Sequence, residues 1–216
     1  MNPKIELMRV HFIGLGEVNL FNLAAALHKK GETVTGSDDV FDESLKTMME
    51  QQGLLSDGKG WSSNKIHAQL DAVVVGSKVK KDNPELIKAQ ELGLSIFSFP
   101  EFLYQQTQYK TRVVVAGSQN RAMVTSMILH VLEYNDVDVD YALATPNGVQ
   151  LTKENDFIVI EGGDNPSSMI DTTPQFQLYQ PNIALLSDIE FTDNGNYSNN
   201  ESCTEQYSVF VDSIVK

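Results

Sequence analysis

Cysteine is almost absent from this 216-residue chain, where Cys203 stands alone. A single thiol excludes an intramolecular disulfide and any site built from several thiolates, and it fits a reducing compartment. Basic residues are also scarce: 16 Lys and Arg face 29 Asp and Glu, for a formal net charge of −13. A surface that acidic repels phosphate backbones and anionic bilayers, so neither nucleic acid nor a membrane is an expected partner. An anionic small molecule would need a local exception, such as a helix N-terminus or a loop of converging amides. No apolar run approaches the roughly 20 residues that a spanning helix requires. The opening stretch MNPKIELMRVHFIGLG lacks the apolar core of a secretory signal. The chain therefore reads as cytoplasmic. Its four histidines (His11, His28, His67, His130) are scattered without metal-ligand spacing. His11 lies on an apolar strand and reads as a packed core residue. No Ser/His/Asp or Cys/His arrangement can be argued.

What is present is ordinary globular material, 41% hydrophobic and 21% charged. Short β-rich runs alternate with helical stretches, the pattern of an α/β fold with a mainly parallel sheet. The run RVHFI (9–13) ends in Gly14-Leu15-Gly16, and a helix follows with Leu20, Leu23, Ala24 and Leu27 at spacings of three and four. A strand at 33–36 leads into Ser37-Asp38-Asp39, and 44–52 reads as a helix capped by Gly53. The run Asp71–Gly76 holds three consecutive valines and needs cover on both faces. Asn83-Pro84-Glu85 opens a helix that Gly93 closes. A fourth strand at 94–97 precedes a helix starting at Phe99-Pro100-Glu101. The polar stretch QQTQYK (105–110) reads as a linker. The pattern then restarts with a strand at 111–117, a helix at 125–134 carrying apolar Ile128, Val131 and Leu132, and strands at 140–144, 157–161 and 183–187. A final helix at 204–215 places Tyr207, Phe210, Val211 and Ile214 on one stripe. Asp193 to Asn200 reads as an Asn-rich surface loop. Two α/β domains are expected, at 1–108 and 109–216.

Two strand-to-helix turns are candidates for holding phosphate. In the first, Gly14-Leu15-Gly16-Glu17-Val18-Asn19, a G-x-G-x-x-G turn would bring backbone against a diphosphate at the helix N-terminus. Asn19 replaces the third glycine, and Glu17 puts a negative charge where a phosphate would lie. Asp38, 22 residues beyond Gly16, stands where a ribose hydroxyl partner is expected. Nucleotide binding and a purely structural turn both remain open on this motif. The second turn runs Ala116-Gly117-Ser118-Gln119-Asn120-Arg121-Ala122. A working phosphate loop needs glycine, then lysine, then a Ser/Thr hydroxyl for Mg²⁺, and those positions hold Asn120, Arg121 and Ala122. Spacing alone favours a plain strand-to-helix turn here. The cluster Glu161-Gly-Gly-Asp164 at a strand end has the hard oxygen ligands Mg²⁺ prefers, with a solvated acidic loop as the favoured alternative.

The stretches HFIGLG (11–16), VTGSDD (34–39), DNPELIKAQELG (82–93), FPEFL (99–103), RVVVAGS (112–118), TSMILHVL (125–132), IEG (160–162) and PNIALLSDIEF (181–191) resemble, in order, the Mur ligase family. The branch they are most similar to joins alanine, or a ready-made tripeptide, to UDP-N-acetylmuramate. The resemblance covers nearly the whole chain. It implies a Rossmann-like UDP-binding domain with a parallel sheet, followed by part of a P-loop α/β central ATPase domain. The family activates a carboxylate as an acyl phosphate with ATP and Mg²⁺, and an amine then attacks. By position the resemblance implies Gly14, Gly16, Asn19, Ser37, Asp38 and Ser77 for the nucleotide-sugar. It implies Gly117, Ser118, Asn120, Arg121 and Thr125 for the ATP loop, and Glu161 as the Mg²⁺ ligand.

The departures fall on the chemistry. The family's Gly-Lys-Thr reads Asn120-Arg121-Ala122, the Asp-Glu-Tyr after its glutamate reads Gly163-Asp164-Asn165, and its Asp-His pair reads Thr192-Asp193. Scaffold residues survive while phosphate, metal and histidine positions change together. The expectation is a Mur-ligase-like protein of peptidoglycan metabolism that is catalytically impaired and retains a UDP-sugar-type ligand. An active ligase completed by another chain, and a non-catalytic interaction module pairing through an exposed sheet edge as a homodimer, are the alternatives.

Overall fold

Val10, His11, Phe12 and Ile13 follow one another along β1 (Arg9–Ile13), and all four side chains are buried because the strand lies inside a sheet. The computed structural model describes residues 7–39, 43–52, 54, 60–145, 148–169, 171–192 and 195–215. Gly53 and Asp193, named above as a helix cap and as part of a degenerate pair, lie outside them. The chain divides into two compact units, one up to Phe99 and one from Pro100 onward, apart from 168–170.

In the first unit, β1, α1 (Val18–Lys29), β2 (Thr33–Ser37), α2 (Glu43–Gln51), β3 (Ala72–Val75), α3 (Pro84–Glu91) and β4 (Ile96–Ser98) follow one another. The four strands form a parallel sheet in the order β2-β1-β3-β4. β1 and β3 are its central strands, which is why the Ala-Val-Val-Val run of β3 is buried throughout. α1 buries Leu20, Phe21, Leu23, Ala24 and Leu27, the spacing read from the sequence. Gly31 turns the chain out of α1 at φ +92°, a conformation that side-chain-bearing residues disfavour. α3 starts as its sequence predicts. The Asn83 side chain accepts from the amides of Glu85 (2.9 Å) and Leu86 (3.2 Å), and Pro84 stands at the first turn. Ile13, Val73, Val75, Leu86 and Ala89 share a core cluster against which Trp61 and Ile96 pack.

The second unit runs α4 (Phe99–Thr107), β5 (Thr111–Ala116), α5 (Arg121–Tyr134), β6 (Asp140–Ala142), β7 (Val149–Gln150), β8 (Phe157–Gly162), α6 (Gln175–Leu178), β9 (Ile183–Leu186) and α7 (Asn200–Asp212). Its sheet has the order β7-β6-β8-β5-β9, parallel except for the β6–β7 hairpin. Sequence periodicity missed β7 and α6, which are too short to carry a period. α7 begins at Asn200 rather than Thr204, because Asn199 forms a reciprocal capping box with Ser202. Its inward face is Cys203, Tyr207 and Phe210, while Val211 is exposed, so the expected stripe is rotated. Phe176 of α6 stacks on Tyr207 (centroids 4.9 Å apart) and meets Phe210 edge-on (5.1 Å).

The stretch 105–110 is no free linker. Thr107 ends α4 with its hydroxyl donating to the Leu103 carbonyl (2.7 Å), and Lys110 is buried in an ion pair with Asp140 (2.9 Å). The Lys110 ammonium also donates to the Asn155 carbonyl. Next to it the buried Arg112 guanidinium donates to the carbonyls of Thr107, Lys110, Tyr179 and Gln180 and lies over the Tyr104 ring. Polar composition suggested solvent exposure, but each cation here has its own internal acceptors. Among the described residues no helix is long and apolar enough to cross a membrane.

Candidate functional site: two strand-to-helix turns and their internal carboxylates

The first turn is held from beneath by β2. The amides of Gly14 and Leu15 both donate to the Ser37 carbonyl (2.9 and 3.1 Å). Gly14 sits at φ +97°, and a Cβ there would approach Val79 to 3.0 Å, so the close turn requires glycine. The Gly16 amide donates to Asp38 Oδ2 at 2.7 Å. Thus Asp38, read as a ribose partner, already braces the glycine turn. Glu17 is the N-cap residue of α1, yet its side chain makes no cap bond there. It reaches instead to the loop after β3. Glu17 Oε2 accepts from the amide (3.1 Å) and hydroxyl (2.8 Å) of Ser77, and Oε1 accepts from the Lys78 amide (2.9 Å).

A cleft of about 620 Å³ opens above this turn, lined by Gly14, Gly16, Asp38, Trp61, Lys78 and Lys80 among others. Of the residues assigned to a nucleotide-sugar, Gly14, Gly16 and Asp38 line it. The Ser77 hydroxyl is committed to Glu17, and Asn19 lies half-buried in the first turn of α1. Ser37 is fully buried and accepts from the Lys65 ammonium at 2.9 Å.

Below the cleft lies a buried polar chain. His11 Nδ1 pairs with Thr35 Oγ1 (2.8 Å) and Nε2 with Glu85 Oε2 (3.2 Å), while Glu85 Oε1 accepts from the Ser62 amide (2.8 Å). His11 and Glu85 are both fully buried. Burial pushes the Glu85 carboxyl up. The hydrogen bonds from His11, the Ser62 amide and Ser37, with the His11 charge, outweigh burial and hold it below the usual carboxylate range. His11 is thus the core residue expected, though with a polar partner on each ring nitrogen.

The second turn, between β5 and α5, brings Gly117, Ser118, Asn120, Arg121 and Thr125 together with Glu161 of β8. Asp188, just past β9, binds the loop. Its Oδ2 accepts from the Gln119 amide (3.0 Å) and its Oδ1 from the Asn120 amide (3.1 Å) and the Ser187 hydroxyl (2.7 Å). These bonds and the Arg121 charge overcome partial burial and hold the Asp188 carboxyl below its usual range. Gly117 is pressed so closely on this corner that a Cβ would meet Ser187 Oγ at 2.0 Å.

Arg121 folds back over the same corner. Its Nη1 donates to the carbonyls of Gly117 (2.9 Å) and Ser118 (3.1 Å) and lies 3.5 Å from Asp164 Oδ1, and its Nε lies 3.5 Å from Glu161 Oε1. The Thr125 hydroxyl donates back into its own helix, to the Arg121 carbonyl at 2.7 Å. The metal assignment of Glu161 can be judged on this geometry. The Arg121 guanidinium already lies 3.5 Å from both Glu161 and Asp164, Ala122 has no side-chain oxygen, and no cluster of three or more ligating side chains occurs among the described residues. These residues do not fit a Mg²⁺–ATP pair, whose cation would share two carboxylates with a fixed guanidinium.

Sequence reasoning placed Glu17 in the path of a phosphate but did not foresee its partners, and it assigned no role to Asp188 or Lys65. The Asp188 signal was the serine-aspartate pair after an apolar strand, which has no meaning until β9 is set beside β5.

The model of the Mur ligase family, catalytic domain, matches residues 9–111. The UDP-N-acetylmuramate–L-alanine ligase of Streptomyces coelicolor is 27% identical over 215 residues, covering 96% of this chain and 44% of that protein. The ligase of the same name from Anaeromyxobacter dehalogenans is 29% identical over 187 residues, covering 84% and 38%. The chain thus spans less than half the length of these relatives. The crystal structure of UDP-N-acetylmuramate:L-alanyl-γ-D-glutamyl-meso-diaminopimelate ligase from Neisseria meningitides superposes with a TM-score of 0.84 at 23% identity, over 97% of this chain and 69% of that one. The murein peptide ligase of Psychrobacter arcticus superposes with 0.79 at 24% identity, over 96% and 47%. Family model, relatives and fold agree with the motifs read in order along the sequence, and the family that the chain matches, over residues 9–111, is the Mur ligase family.

Proposed function

We propose that this chain is a Mur-ligase-type protein of peptidoglycan synthesis or recycling whose nucleoside-triphosphate site is closed by its own side chains, leaving a UDP-sugar-type cleft as its ligand site. The observation that carries this reading is the Arg121 guanidinium 3.5 Å from both Glu161 and Asp164, with Asp188 on the loop amides. In this reading a guanidinium takes the place of a divalent metal, and a carboxylate takes the loop amides that a phosphate would use. The first unit, by contrast, keeps an open cleft at the C-terminal end of a parallel sheet, where such folds take ligands.

A thermal-shift scan with UDP-N-acetylmuramate, UDP, and ATP with Mg²⁺ tests it, since a ligand that binds the native state raises the melting temperature. A shift with the UDP compounds and none with ATP–Mg²⁺ is expected. A shift with ATP–Mg²⁺ would restore the ligase reading, in which another chain completes the enzyme.

One observation favours a second reading as an interaction module. Met123, Met127, Val131 and Tyr134 form an exposed apolar stripe along α5, which buries only Thr125. Light scattering decides it for self-association, because a monomer at high concentration would remove the homodimer.

A further inference from the structure

The Glu17 carboxylate is an anion with a site of its own. It takes three donors from the loop after β3, the Ser77 amide, the Ser77 hydroxyl and the Lys78 amide, at 2.8–3.1 Å. Gly76 is shaped around it, since a Cβ there would lie 2.6 Å from Glu17 Oε1. Converging amides beside a helix N-terminus are the donor set that parallel α/β folds use for phosphate. No other acidic residue lies in the first turn of α1. Glu17 also lines the cleft, together with the carboxylates Asp38, Asp39 and Asp82 and the cations Lys78 and Lys80.

From this we infer that Glu17 is a specificity-determining residue, an internal anion that a phosphorylated ligand must displace before its phosphate can reach the Ser77 and Lys78 amides. The inference rests on the reading of this cleft as a UDP-sugar-type site and narrows it. An uncharged nucleoside is not repelled by the Glu17 carboxylate as a diphosphate is, so this residue discriminates against the diphosphate and not against the nucleoside. The two lysines draw a diphosphate to the rim, while Glu17 sets the penalty for seating it.

Calorimetric titration of the whole chain with uridine, UMP and UDP, in the wild type, Glu17→Ala and Glu17→Gln, tests this. Removing one carboxylate from beside a diphosphate is expected to tighten UDP by about tenfold. UMP should gain less, and uridine should stay within about twofold. Glu17→Gln keeps the side-chain shape and an acceptor oxygen, so its UDP gain separates charge from loss of folding. Unchanged UDP affinity in both variants overturns the inference and leaves the cleft reading standing. Uridine and UDP weakening together would make Glu17 a structural brace and also overturn it. No binding of any of the three to any of the proteins would overturn the cleft reading, and the inference with it.

Discussion

Asp188 Oδ1 accepts the Asn120 amide at 3.1 Å across 68 residues of sequence, and Oδ2 takes the neighbouring Gln119 amide at 3.0 Å. The turn between β5 and α5 is therefore neutralised from within. Asp188→Ala should free these amides and lower stability by about 1 kcal/mol, the usual worth of hydrogen bonds to a half-exposed charged group. Inorganic phosphate should then raise the melting temperature of the variant more than that of the wild type. Equal responses would show that the loop amides are not the anion site.

Arg121 should decide the response to divalent cations. Arg121→Ala leaves Glu161 and Asp164, both largely buried, without the cation they share. A loss of about 1–3 kcal/mol is expected from such uncompensated groups. Millimolar Mg²⁺ should recover part of that loss in the variant and leave the wild type unmoved. If Mg²⁺ stabilised the wild type as strongly, the guanidinium would not be filling the metal position.

Lys110 and Asp140 form a buried ion pair at 2.9 Å, and Asp140 further accepts from the Thr152 amide and hydroxyl and from Asn155 Nδ2. Lys110→Ala removes the only partner of Asp140 that carries a positive charge among these contacts. The expected loss is about 3–5 kcal/mol, as for one half of a buried pair. Chemical denaturation would measure it, and a change under 1 kcal/mol would mean that water replaces the ammonium.

Glu85 should make the first unit acid-sensitive. Its carboxyl is held below the ordinary value of 4.5 in the folded state. A group whose folded pKa is depressed adds stability that is complete above its unfolded pKa and drains away as pH falls through the folded one. Stability should therefore decline below about pH 4.5, and Glu85→Gln should flatten that decline. The slope is read from denaturation midpoints at a series of acidic pH values. An identical slope in the variant would assign acid sensitivity to other carboxylates.

The fold class was legible because it is written in local patterns. Valine runs marked β3 and β5, three-and-four spacing marked α1, and Asn83-Pro84 marked the start of α3. Each of these depends on a window of a few residues. The inward faces of α5 and α7 were less legible. Val131 is as apolar as the half-buried Ile128 and Leu132, and Val211 as apolar as the buried Phe210, and only the tertiary packing decides which apolar residues turn inward. The stretch 105–110 misled for the converse reason, since its polar residues are held by internal acceptors rather than by water.

The two glycine turns show where local reading ends. That Gly14, Gly16 and Gly117 stand at strand-to-helix junctions, and that Arg121 and Ala122 replace a lysine and a hydroxyl, follows from residue order alone. That Glu17 binds the loop 60 residues away, that Asp188 covers the turn after β5, and that Arg121 lies between Glu161 and Asp164 does not. A charged side chain takes its partner from whatever the sheet register brings within 3 or 4 Å. That register is a property of strands far apart in sequence, so the side chain that each turn holds was decided by the tertiary structure.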